Sequence, residues 1–113
     1  MKEFWHVGRK LDDGDPFRRW MPDNIDVPDL ESFKEKTNKL YLQFDALGNR
    51  ILEAIALDLD LNANFFHQVT NKGNSVMRVI HYPPVAIQES GERAGPHEDI
   101  NLITLLIGGQ QAG

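Results

Sequence analysis

Residues 100–107 read Ile-Asn-Leu-Ile-Thr-Leu-Leu-Ile, and nothing else in the chain restricts its fold as strongly. Successive side chains of a strand point to opposite faces. This run is apolar on both faces apart from Asn101 and Thr104, so as a strand it has to be well buried. It also needs hydrogen-bonded neighbours, because a long apolar edge invites pairing with other chains. The sequence offers few. Val76, Met77, Val79, Ile80 and Tyr82 read as one further strand, stopped by Pro83-Pro84. Two or three strands make a poor sheet alone. The expectation is that partner strands lie outside these residues or come from a second copy.

The front half is different. Residues 1–28 read as an extended, loop-rich arm, since Gly14, Pro16, Pro22 and Pro28 interrupt any helix. Phe4, Trp5, Val7, Phe17 and Trp20 are apolar anchors along it. A long helix is expected over residues 30–57, capped by Asp29 and favoured at its positive end by Glu31. Phe33, Leu40, Phe44, Leu47, Ile51 and Ile55 recur at helical steps and make one apolar face, with Leu52 and Leu59 beside it. Gly48 costs such a helix about 1 kcal/mol relative to alanine and marks a place of close packing. A short second helix is expected over residues 63–69 behind Asn62, ended by the turn Asn71-Lys72-Gly73-Asn74. Helices followed by strands give the α+β class.

The chain has 113 residues, which suits a single domain: residues 1–74 for the arm and helices, 75–113 for the strands. Its net charge of −5 lacks the basic footprint of a nucleic-acid binder. No apolar run is long enough for a membrane span, and the start of the chain has no apolar core of a secretory signal. With no cysteine there are no disulfides or thiolate metal sites, in keeping with a cytoplasmic setting. A metal would have to be held by His, Asp or Glu.

One short stretch carries such groups: Arg93-Ala94-Gly95-Pro96-His97-Glu98-Asp99, at the end of a polar loop over residues 85–96. His97 and Asp99 are two apart, so on an extended backbone they point to the same side. An imidazole and a carboxylate suit iron(II) or another divalent first-row metal, and two histidines with one carboxylate make a facial triad that leaves positions open. The spacing alone is unspecific: four histidines and 17 acidic residues give about 0.6 His-x-acid pairs by chance. Arg78 and Arg93 could grip a carboxylate, although a surface ion pair is the plainer role for each.

The wider context is more specific. The stretch Arg78-Val79-Ile80-His81-Tyr82-Pro83-Pro84, followed by Arg-Ala-Gly-Pro-His-Glu-Asp-Ile-Asn-Leu-Ile-Thr-Leu-Leu, resembles the isopenicillin N synthase-like branch of the iron(II)/2-oxoglutarate dioxygenases. The opening Lys-Glu-Phe-Trp-His-Val-Gly-Arg, the long helix, and the Phe-Phe-His-Gln and Gly-Asn-Ser segments also look like bacterial members, so the resemblance runs along nearly the whole chain. It implies a helical part leading into the first strands of a double-stranded β-helix (jelly-roll) barrel. It implies Fe(II) held by His97 and Asp99, with 2-oxoglutarate as cosubstrate and a small molecule oxidised by O₂. Tyr82 matches a tyrosine that touches the cosubstrate carboxylate. Such members often place an asparagine two residues before it, where this chain has Ile80.

In the family the second histidine ligand and an Arg-x-Ser motif for 2-oxoglutarate lie further along. The four histidines here are His6, His67, His81 and His97. His81 is the nearest substitute ligand, but it neighbours Tyr82, and adjacent strand residues face opposite sides. The expectation is an N-terminal piece of an oxygenase, inactive alone. Two alternatives stand beside it. In one the chain is a non-enzymatic module that pairs through an open sheet edge, as a homodimer. In the other His97 and Asp99, with His81, hold zinc or another redox-inert metal.

Overall fold

The computed structural model describes residues 2–84 and 94–108. Within them the order is β1 (Glu3–Gly8), α1 (Phe33–Asp58), α2 (His67–Thr70) and β2 (Val76–His81). This is an α+β arrangement: one long helix packed beside a two-stranded antiparallel sheet. Most of the expected polar loop, with Gly91 and Arg93, falls outside the described residues, as does the end of the chain from Gly109.

The sheet joins segments some 70 residues apart in the chain. β1 pairs with β2 from Glu3 opposite His81 to Gly8 opposite Val76. Local pattern does not announce β1, because the turn formers downstream give the whole arm a loop-like reading. Its alternation explains it. Val7 is buried and Trp5 half-buried on one face, while Phe4 and His6 are exposed on the other. Trp5 meets Phe33, in the first turn of α1, edge-on at 5.8 Å between ring centres. On the outer face Phe4 stacks on His6, and the Arg78 guanidinium lies 5.0 Å over the Phe4 ring.

Two polar devices tie the arm down. The Asn24 side chain accepts from the Gly8 amide at 2.8 Å and donates to the Gly8 carbonyl at 2.9 Å, acting as a one-residue strand partner. Arg9 donates to Asp15 at 2.6 Å and to the Lys72 carbonyl at 3.2 Å, which links the arm to the turn before β2. The bond from Arg9, with another from the Phe17 amide, holds the Asp15 carboxyl below its ordinary pKa. A carboxyl whose folded pKa is depressed stabilises the fold above its unfolded value of about 3.9. That contribution is lost as the pH falls through the lower folded value. Asp15→Asn should therefore show a weaker dependence of stability on pH below about 4 than the parent chain, read from urea midpoints on the acid side.

α1 is shorter at its start than expected. Ser32 is the N-cap residue, not Asp29, and its left-handed φ of 61° blocks continuation of the helix back to residue 30. Its side chain makes no capping bond. The far end closes with a Schellman motif: Leu61 N–H bonds to Ala56 O at 2.8 Å and Asp60 N–H to Leu57 O at 3.2 Å, with Asp60 at φ 55°. The second helix covers only His67–Thr70. Asn62 folds back to accept from the Asn64 amide at 2.9 Å, so residues 63–66 are spent in turns. Lys72 at φ 57° and Gly73 make the expected turn; a Cβ on Gly73 would lie 2.9 Å from the Thr70 carbonyl oxygen.

The buried side of α1 is Tyr41, Gly48, Leu52 and Ala56. It is rotated from the predicted face, leaving Leu40 39% and Leu47 46% exposed. The small residues account for this, since Gly48 and Ala56 let other chain segments approach the helix closely. Ile103 and Leu105 do so at Gly48, and a Cβ there would sit 3.7 Å from Leu105 Cδ1 and 3.9 Å from Ile103 Cδ1. That is ordinary van der Waals contact, so alanine fits while a larger side chain does not. Gly48→Ala should stabilise the chain by about 0.5–1 kcal/mol through helix propensity, read as a higher urea midpoint.

The run at 100–107 corrects the strongest expectation: it is not a strand within the described residues. Ile103 and Leu105 turn toward α1, but Leu102 and Leu106 on the other side are 53% and 82% exposed. Alternation survives without a ladder because the sheet described here ends at β1 and β2, and neither pairs with this segment. None of the described helices is long and apolar enough to cross a membrane.

Candidate metal site

The two predicted ligands converge. His97 Nε2 lies 3.7 Å from Asp99 Oδ1, both side chains at least half exposed. The backbone here is outside any strand, yet residues two apart still share a side. Each side chain is also oriented by a neighbour. His97 Nδ1 is 2.9 Å from the Gly95 carbonyl oxygen, which only accepts. Nδ1 therefore donates to that carbonyl, which leaves Nε2 as the ring nitrogen facing Asp99 and the one a neutral ring would offer to a metal. On the carboxylate, Oδ2 accepts a 2.5 Å bond from the Thr104 hydroxyl, leaving Oδ1 toward His97. Thr104 Oγ in turn accepts from Asn101 Nδ2 at 2.7 Å.

This donor set fits a divalent first-row cation. It offers one imidazole nitrogen and one carboxylate oxygen, on side chains each held by a hydrogen bond at their other polar atom. Cis ligands at about 2.1 Å from a metal stand about 3.0 Å apart. The pair at 3.7 Å would close slightly on an ion. Among the described residues no cluster brings three or more His, Asp or Glu together, so His97 and Asp99 stand there as a pair of candidate ligands.

The other expected residues lie elsewhere. Tyr82 follows the last residue of β2, partly exposed, and the chain from it toward His97 passes through residues outside the description. His81 Nδ1 is 3.0 Å from Glu3 Oε2, a cross-strand pair on the sheet that does not join His97. Arg78 Nε donates to His6 Nε2 at 2.8 Å, so both of those groups are engaged across the same sheet. Sequence reasoning overlooked Thr104 as a hydrogen-bonding neighbour of Asp99, and Asn101 as one of Thr104. The available signal was that they are the polar interruptions of an otherwise apolar run.

Comparison with known proteins points one way. No family model matches the chain. It is 35% identical over 103 residues to a 2-oxoglutarate-Fe(II) type oxidoreductase of Aspergillus fumigatus, covering 89% of this chain and 29% of that protein. It is 34% identical over 111 residues to a 2-oxoglutarate-dependent dioxygenase of Aspergillus flavus, covering 95% and 29%. Among solved structures, a protein of Caulobacter crescentus described as of the 2OG-Fe(II) oxygenase family superposes with a TM-score of 0.71 at 45% identity, covering 75% of this chain and 28% of that one. A C-terminally truncated protein of Neurospora crassa, in apo form, gives 0.58 at 31% identity, covering 77% and 32%. The chain thus spans less than a third of the length of each. In sequence and in fold it belongs with the 2-oxoglutarate–Fe(II) oxygenases, corresponding to their N-terminal part.

Proposed function

We propose that these residues supply the first half of the metal site of an Fe(II)- and 2-oxoglutarate-dependent oxygenase acting on a small molecule. The observation that carries this is the convergence of His97 Nε2 and Asp99 Oδ1, each oriented by its own hydrogen bond. With iron(II) and 2-oxoglutarate bound, such a site supplies oxidising power from O₂. The residues here would hold the ion on one side and leave its other positions to further ligands. Tyr82 would donate its phenol to a cosubstrate carboxylate. In this reading α1 and the β1–β2 pair are the base on which a jelly-roll barrel is built, and the run at 100–107 becomes one of its strands when a neighbour is present.

With two candidate ligands brought together among the described residues, and Tyr82 the residue matched to a cosubstrate carboxylate, these residues alone should hold iron weakly and not turn over. The test is anaerobic addition of Fe(II) and 2-oxoglutarate, followed by admission of air. Neither a metal-to-cosubstrate charge-transfer band nor succinate is expected. A band with stoichiometric succinate would overturn the proposal that this part of the site is insufficient by itself.

A second reading draws on the exposure of Leu102, Leu106 and Ile107 along an extended segment: the chain pairs with a second copy through strand addition. Sedimentation as a monomer across the accessible concentration range would sink it.

A further inference from the structure

We propose that Thr104 is a positioning residue for the metal-binding carboxylate, acting as the centre of a latch between Asn101 and Asp99. The inference rests on the metal-site reading above and adds a group that is not itself a ligand.

The direction of each bond is fixed by chemistry. Asn101 Nδ2 lies 2.6 Å from the Ile103 carbonyl oxygen and 2.7 Å from Thr104 Oγ. A carbonyl oxygen only accepts, so the side-chain amide has to turn its NH₂ toward both groups. Its second hydrogen then occupies an acceptor position of the Thr104 hydroxyl. An ionised carboxylate cannot donate, so the hydroxyl proton goes to Asp99 Oδ2, at 2.5 Å. The result is a one-way chain from amide to hydroxyl to carboxylate, in which each bond polarises the next.

Geometry gives the latch its purpose. Thr104 takes the carboxylate oxygen that faces away from His97, so that Oδ1 is the one presented beside Nε2. Asp99 is half exposed, and its free side chain would rotate among several orientations. Holding the productive one before the metal arrives removes part of the ordering cost of binding. Thr104 is itself anchored from both sides, because Ile103 and Leu105 reach α1 at Gly48. The helix thereby fixes the position of a group next to the site without contributing a ligand.

The test uses the whole chain and Mn(II) alone as probe, followed by broadening of the His97 ring protons in NMR spectra. Thr104→Val keeps the shape and removes the hydroxyl; Thr104→Ser keeps the hydroxyl. Thr104→Val should need about tenfold more Mn(II) for half-broadening, the lower range for losing an outer-shell partner. Thr104→Ser should stay within about twofold of the parent, and both should keep the parent's far-UV circular dichroism. Equal affinity of the valine variant and the parent would overturn the inference while leaving the metal site standing. A serine variant as weak as valine would also overturn it, by showing that the methyl group and not the hydroxyl matters. No broadening in the parent at millimolar Mn(II) would remove the metal-site reading itself, and the inference with it.

Discussion

Val7→Asp is expected to unfold the chain. Val7 is 1% exposed and is the one large side chain fully buried among the described residues. It sits on the inner face of β1, opposite Met77 of β2. The other buried apolar side chains among the described residues are Leu11, Tyr41, Leu52 and Ala56. A core of this size leaves little reserve, since even ordinary domains are stable by only about 5–15 kcal/mol. A carboxylate at position 7 would lose its hydration, and among the described residues no buried charged side chain is there to meet it. The effective cost of burying an unpaired ion is several kcal/mol, and protonating it near neutral pH costs a comparable amount. Loss of the α1 signal in far-UV circular dichroism, without urea, is the expected result. The control is one residue away: His6→Asp puts the same charge on the exposed face of the same strand and should keep the helix signal. If Val7→Asp melted like the parent, the inward face of β1 would be wrongly assigned.

That same strand shows where the sequence is hard to read. Val7 and Trp5 alternate with Phe4 and His6 as a half-buried strand should, but six residues are a short signal beside the glycine and prolines that follow. What makes them a strand is β2, some 70 residues later, and local pattern contains no term for a partner that distant. α1 is legible because its periodicity is sustained over many turns. Its rotation is not, because weighing the large apolar groups points to Leu40 and Leu47, whereas the buried side is set by Gly48 and Ala56. Small residues add little hydrophobicity yet decide where two elements can come close. Residues 100–107 mislead in the opposite way: their composition is that of a buried strand, but a strand is defined by its ladder. At the candidate metal site, the convergence of His97 and Asp99 follows from their spacing. The contacts of Thr104 and Asn101 do not, since they depend on the bend at residues 101 and 102.

The second large effect concerns the pair itself. His97→Ala and Asp99→Ala should each abolish measurable Mn(II) binding, and the two losses should not add. A chelate of two ligands gains because the second donor is already in place when the first has bound, an advantage of effective concentration. Removing either donor leaves a single side-chain ligand, whose affinity for a hydrated divalent ion is too weak to register. Losing only an outer partner costs about 10–100-fold, so losing a ligand should exceed that range. Asp99→Asn is the sharper comparison, because it keeps the shape and the capacity to accept from Thr104 but removes the charge. If binding depends on the anionic oxygen, the asparagine variant should resemble alanine; if the carboxylate only shapes the loop, it should resemble the parent. His81→Ala is predicted to leave Mn(II) binding unchanged, since that ring is occupied with Glu3 across the sheet. Loss of binding in His81→Ala would mean that His81 acts as a ligand despite that pairing, and that the site is assembled from the sheet as well as from the loop.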